Sequence, residues 1–236
     1  MDGAVVGVVG ARGGAGASVV AACLARAAAR RRVPACVVDL ADTGGLDVLL
    51  GVEDEPGVRW PDLADARGRL DGDDLAARLP RWDGVGVVSA TTASGPVAEC
   101  VVDVVTALAE SVVPRGGLVV LDLPRPGAAA TGPVPDLLPA CDELLVVTPL
   151  DVPSVAGAAA LRPRLGAGPA ALVVRGPAPG RLGAGEVARA VGLDVAATVR
   201  RDRRLPAAVE RGHGPAGGPL DRAGRVLAAR YLGPRR

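Results

Sequence analysis

The chain has 236 residues with 27 basic and 26 acidic side chains, and its formal net charge of +1 gives no overall bias toward nucleic acid or acidic partners. Nearly half of it is hydrophobic, yet Phe is absent, and so are Lys, Ile, Asn and Gln, so all 27 of those basic side chains are Arg. This length supports one large α/β domain or two small ones, and the skew toward Ala, Gly, Pro, Arg, Val and Asp is what a high-GC genome gives an ordinary fold.

In chain order, "AVVGVV" (4–9) reads as a buried strand that runs straight into the glycine-rich turn "GARGGAGAS" (10–18). Helical spacing over 17–31 puts Val19, Val20, Cys23, Leu24, Ala27 and Ala28 on one face. The next strand is 34–40, and 51–83, rich in Pro, Gly and charge, reads as short helices on the rim, with Trp60 as a packing anchor. Strands follow at 84–90, 116–124, 143–149, 170–176 and 193–199. Helices are expected at 97–112, with Val97, Val101, Val105, Leu108 and Val112 in register, and at 151–164. Segments 125–135 and 176–185 read as a loop and a connector, and 213–219, which holds His213, separates the last two helices.

Short apolar β-runs alternating with helices predict βαβ units, hence an α/β fold with a mostly parallel sheet covered by helices on both faces. Functional loops then belong at the carboxyl ends of the strands. No linker or repeat divides the chain, so one domain over 1–236 is expected. Cys23, Cys36, Cys100 and Cys141 are widely spaced and, with a single His, suit neither a zinc site nor a disulfide framework; they read as buried thiols in a reducing cytosol. The run 4–9 is too short for a signal peptide and no apolar stretch is long enough to span a bilayer, which points to a cytoplasmic protein.

The turn at 10–18 has the order of a phosphate-binding loop. Glycines let the backbone curl so that successive N–H groups and a helix N-terminus face one anion. Lysine then adds charge over the phosphates, and Ser or Thr holds Mg²⁺. Gly13, Gly14 and Gly16 supply the curl and Ser18 stands in register for the metal, but Ala17 occupies the lysine position.

The order R-G-G-A-G-A-S resembles the deviant Walker A motif, K-G-G-x-G-K-[S/T], of the ParA/MinD superfamily. The resemblance implies a three-layer P-loop NTPase in which Arg12 takes the place of the lysine that reaches across a dimer, with loop residues Gly13, Gly14, Ala15, Gly16, Ala17, Ser18 and Val19 against the nucleotide. "VVDLADTGGLDVLLGV" (37–52) is similar to the switch I region, usually D-x-D; Asp39 is kept, Ala41 takes the second position, and Asp42 follows one step later. "LVVLDLP" (118–124) is similar to the Walker B strand, with Asp122 reaching the Mg²⁺ shell through water. Ser18, Asp39 and Asp122 are thus the implied metal residues, and Asp39, Asp42 and Arg12 the catalytic candidates. Arg175, in "LVVRG", stands where relatives often carry an adenine-reading Asn; a solvated loop residue is the other reading, for it and for Arg125.

More narrowly, "GARGGAGAS", "DLADTGGLDVLLGVEDEPGVRWPDL" and "VVLDLPR" resemble the CpaE/TadZ-like branch, including septum-site-determining-like (Ssd) proteins. That implies a homodimer that positions a Tad/Flp pilus or secretion system or the division septum, here without the N-terminal receiver-like domain of many relatives. The cofactor implied is ATP or ADP with Mg²⁺, held weakly or not at all. Losing one charged donor to phosphate removes about 1.5–3 kcal/mol, and losing a transition-state donor costs about a hundred- to a thousandfold in rate. Ala17 and Ala41 together therefore argue for a binding or pseudo-ATPase domain, with a slow ATPase as the alternative. The segment 220–232 reads either as a packed last helix, with Leu220, Ala223, Val226, Leu227 and Tyr231 inward, or as a helix lying on a membrane. "RRDRR" (200–204) reads as a solvated edge, so DNA is not the expected partner.

Overall fold

The computed structural model describes residues 3–41, 45–66, 68–90, 100–125 and 134–233. An eight-stranded sheet runs through it: β1 (Ala4–Gly10), β2 (Ala35–Asp39), β3 (Arg81–Trp82), β4 (Val85–Val88), β5 (Leu118–Leu123), β6 (Glu143–Pro149), β7 (Ala170–Arg175) and β8 (Val195–Val199). Their spatial order is β3-β4-β2-β5-β1-β6-β7-β8, and every pairing is parallel except that of β3 with β4.

The strands are apolar on both faces because helices cover both. Val5, Val9, Val119, Leu121, Leu144 and Val146 point one way. They pack under α3 (Gly72–Arg78), α4 (Val101–Val112), α6 (Val152–Leu161) and α7 (Ala184–Val191). Ala4, Val6, Val8, Val120, Leu145 and Val147 point the other way, beneath α1 (Ala17–Ala29) and α9 (Gly218–Tyr231). Short helices α2 (Leu46–Leu50), α5 (Val134–Leu137) and α8 (Leu205–Val209) complete the layers. This is the expected three-layer α/β architecture.

Most of the differences from expectation fall at edges. The rim segment 51–83 includes the strand β3, which buries Trp82 and hydrogen-bonds antiparallel to β4. The connector ends earlier than its composition suggests, because α7 starts at Ala184, where Glu186 accepts from the Gly183 N–H at 2.7 Å. Of the helix expected over 97–112, the described part is Val101–Val112; Val97 lies outside the described residues.

In α9, Leu220, Ala223, Leu227 and Tyr231 are buried as expected, whereas Val226 is 50% exposed. The helix approaches α1 so closely that a Cβ on Gly224 would lie 2.4 Å from the Cys23 carbonyl oxygen, so glycine is required there. Arg26 of α1, 5% exposed, pairs with Asp221 of α9 and Asp83, and lies 5.7 Å from the Trp82 ring centroid. At the helix's far end Arg230 and Tyr231 both bond Glu143. The apolar face of this helix is thus used inside the fold, and no described helix is long and apolar enough to cross a membrane.

Candidate phosphate-loop site

The glycine-rich turn lies between the carboxyl end of β1 and the first turn of α1. β1 sits in the middle of the sheet, paired with β5 and β6, so its end is rigidly placed. Gly14 (φ +70) and Gly16 (φ +92) adopt the left-handed conformation that curls the chain into α1. A Cβ on Gly13 or Gly14 would meet nothing within 4 Å, so the outer side of the turn is open. The backbone therefore fits a phosphate cradle at a helix N-terminus. Ala17, the first residue of α1, brings no charge to it.

Asp122 and Asp39 are neighbours in the register of β5 and β2, both at strand ends facing the turn region. Burial pushes the Asp122 carboxyl up to about 7, the nearby Asp39 adds to the rise, and a hydrogen bond from Ser18 opposes it. Ser18 and Asp122 together form an oxygen-donor pair suited to a hard cation and its water shell. Asp39 is engaged differently. Its two oxygens accept the Ala41 N–H at 3.0 Å and the Leu46 N–H at 3.1 Å, so it shapes its own loop and the start of α2. Burial raises its pKa even against those two bonds. Among the described residues no cluster of three or more His, Cys, Asp or Glu side chains forms a metal site, so any cation here would lean on Ser18, Asp122 and the ligand itself.

Arg12 is turned toward α6. Its Nε donates to Ser154 Oγ at 2.7 Å and its Nη2 to Asp151 Oδ2 at 3.1 Å. Asp151 is the N-cap of α6, accepting the Ser154 N–H at 2.9 Å. Those bonds hold the Asp151 carboxyl below its ordinary range, chiefly through Ser154. Arg175, the last residue of β7, is partly buried and not a solvated loop residue. Its Nη1 donates to the Ala15 carbonyl at 2.9 Å and lies 2.5 Å from where a Cβ of Gly16 would be. Arg125 is exposed and Asp42 lies outside the described residues.

Trp60 is the packing anchor expected of it, and three relationships around the site escaped the sequence reading. Trp60, fully buried, donates its indole N–H to the Asp39 carbonyl at 2.7 Å and so braces the end of β2. Asp151 and Ser154 hold Arg12; the D-V-P-S order of a helix start was the available signal. A cavity of about 200 Å³ opens beside Gly16, lined also by Arg175 and by residues after β8.

No protein-family profile matches the chain. Two uncharacterized Mycobacterium tuberculosis proteins, Rv3660c of strain H37Rv and MT3760 of strain CDC 1551, are each 45% identical to it over 224 residues, which is 89% of this chain. The chain spans 58% of the length of those relatives. Among solved structures, a ParA family ATPase from Chlorobium tepidum superposes with a TM-score of 0.79 at 19% identity, covering 95% of this chain and 98% of that one. The MinC:MinD cell division complex of Aquifex aeolicus gives 0.77 at 16% identity, covering 96% and 95%. The septum site-determining protein MinD of Pyrococcus horikoshii, complexed with Mg-ADP, gives 0.66 at 14% identity, covering 96% and 94%. The fold is that of the ParA and MinD ATPases.

Proposed function

From that fold as premise, we propose that this chain is a CpaE/TadZ/Ssd-like positioning domain whose nucleotide site retains its cradle and has lost the parts needed for fast hydrolysis. One observation carries the reading: the curled, open turn at Gly13–Gly16 has Ser18 and Asp122 beside it, while Ala17 and Ala41 fill the lysine and water-positioning places. The backbone N–H groups and the α1 N-terminus hold the phosphates of a nucleoside di- or triphosphate, weakly without the lysine. Ser18, and Asp122 through water, would hold a Mg²⁺ ion, which would neutralise phosphate charge there. Arg12 is the one inherited charge of the loop and, swung off Asp151 and Ser154, serves the partner of a homodimer. We read the whole of 1–236 as one such domain, acting in placement of a pilus or secretion system or of the septum.

Calorimetry with nucleoside phosphates in the presence and absence of Mg²⁺, run beside a phosphate-release assay, tests the biochemical half. Weak binding with no turnover above the blank is expected; rapid turnover abolished by Asp122→Ala refutes it. A fluorescent fusion tests the cellular half: it should gather at a pole or septum, and an even spread through the cell would count against positioning.

A further inference from the structure

Two guanidiniums reach the glycine-rich turn, and only one has its charge answered by an acid. Arg12 is spent on Asp151, whose carboxylate lies 3.1 Å from it. Arg175 arrives from the carboxyl end of β7, two strands over from β1. Its Nη1 donates to the Ala15 carbonyl at 2.9 Å, and it has no carboxylate partner among the described residues. Ala15 and Gly16 immediately precede Ala17, the place from which a lysine would reach the phosphates. We propose that Arg175 supplies the phosphate charge that Ala17 does not, so that the cation of this turn is delivered from β7 and not from α1. The proposal rests on the reading of the turn as a nucleoside phosphate site.

A guanidinium has five N–H donors and no acceptor, and the Ala15 carbonyl uses one of them. Because that acceptor is neutral, the bond fixes the group on the turn without cancelling its charge. The remaining donors form a planar fork that suits two phosphate oxygens. Arg175 is partly buried, so its field is screened less than that of an exposed arginine. Gly16 makes room for it: a Cβ there would lie 2.5 Å from Nη1, so the glycine both curls the chain and admits the charge. Arg200 and Arg201 line the cavity beside Gly16 and add to the positive field. Asp202, the one acid in that lining, has its Oδ1 on the Arg204 N–H at 2.8 Å. A partly buried cation held by a neutral acceptor still needs an anion, which is also what the N–H groups of the turn and the α1 N-terminus attract.

Calorimetric titration of the full chain with inorganic pyrophosphate and with ADP, both with Mg²⁺, tests this. Arg175→Gln keeps a donor for the Ala15 carbonyl and loses the charge. It should weaken both ligands by the same factor, about tenfold or more, the scale of one charged hydrogen bond. Ala17→Lys should tighten pyrophosphate binding by a larger factor in the Arg175→Gln background than in the unaltered chain, because each cation covers for the other. A misshapen turn would not give that difference. Pyrophosphate binding unchanged in Arg175→Gln overturns the assignment. A loss confined to ADP overturns it too, since Arg175 would then lie against the base or ribose. So does an equal gain from Ala17→Lys in the two backgrounds, since Arg175 would then act only through the shape of the turn. All three leave the nucleotide site standing. If neither pyrophosphate nor ADP binds the unaltered chain, the nucleotide-site reading fails and this inference with it.

Discussion

Arg12 and Asp151 lie 139 positions apart in sequence and meet at 3.1 Å, with Ser154 Oγ on the same guanidinium at 2.7 Å. One carboxylate thus caps α6 through the Ser154 N–H and holds the guanidinium of the glycine-rich turn. The pair is exposed, with 45% and 30% of the two side chains open to solvent, so it adds only about 0–1 kcal/mol to stability. Its consequence is for reach: under the proposed function, Arg12 must leave Asp151 to serve a partner subunit. We expect Arg12→Ala to fold normally and lose nucleotide-dependent self-association. Asp151→Ala should cost about 0.5–2 kcal/mol through the lost cap and strengthen self-association. Sedimentation velocity with and without nucleotide measures both; weakened association in Asp151→Ala would show that the ion pair does not restrain Arg12.

Restoring lysine separates binding from chemistry. Ala17→Lys should tighten nucleotide binding about tenfold to a hundredfold, the worth of one charged donor on phosphate. It should not by itself bring fast turnover, because Ala41 still lacks the carboxylate expected to position water. Phosphate release by Ala17→Lys and by Ala17→Lys/Ala41→Asp checks this, and rapid release by the single variant would locate the whole deficit at position 17.

The buried Asp122 gives a pH dependence with a definite sign. Unfolded, it ionises near 3.8; folded, at about 7. Between those values the folded state holds the extra proton, so its contribution to stability is full below about 3.8 and is lost as pH rises to about 7. Asp122→Asn removes the buried charge. Without Mg²⁺ it should be more stable than the unaltered chain at pH 8, by a few kcal/mol at most, with little difference at pH 4. Urea denaturation at both pH values is the measurement, and an equal difference at the two would contradict it.

The cysteines should be silent in the native protein. All four are buried and none is in a disulfide. Burial pushes the Cys23 and Cys141 thiols up to about 12 and the Cys36 thiol to about 11, far from thiolate at neutral pH. Iodoacetamide at pH 8 should leave the native chain unmodified by mass spectrometry and label four sites in denaturant.

The sheet was legible because its strands are buried on both faces: runs such as "ELLVVTP" carry their own signal, and parallel order follows from the helices between them. β3 was not, since two residues are too few for a pattern and Trp82 gains its role only by packing beside Arg26. Val226 was placed inward by spacing, but the close contact at Gly224 sets the rotation of α9 and leaves it outside. At the turn, the glycines that curl the chain could be picked out from order alone. The partners of Arg12 and Arg175 could not, because Ser154 in the first turn of α6 and Ala15 in the turn after β1 reach them from elements distant in sequence, a relationship that exists only once the sheet is assembled. Asp39 shows the same limit: its position matched a metal site, while its bonds to Ala41 and Leu46 depend on how the following loop closes.

The central claim, a retained cradle without fast hydrolysis, is tested most directly by calorimetric titration with Mg²⁺ and nucleoside triphosphates, paired with phosphate release on the same sample. The account expects measurable, weak binding and release at the level of the blank. Rapid Mg²⁺-dependent release that vanishes in Asp122→Ala would contradict it.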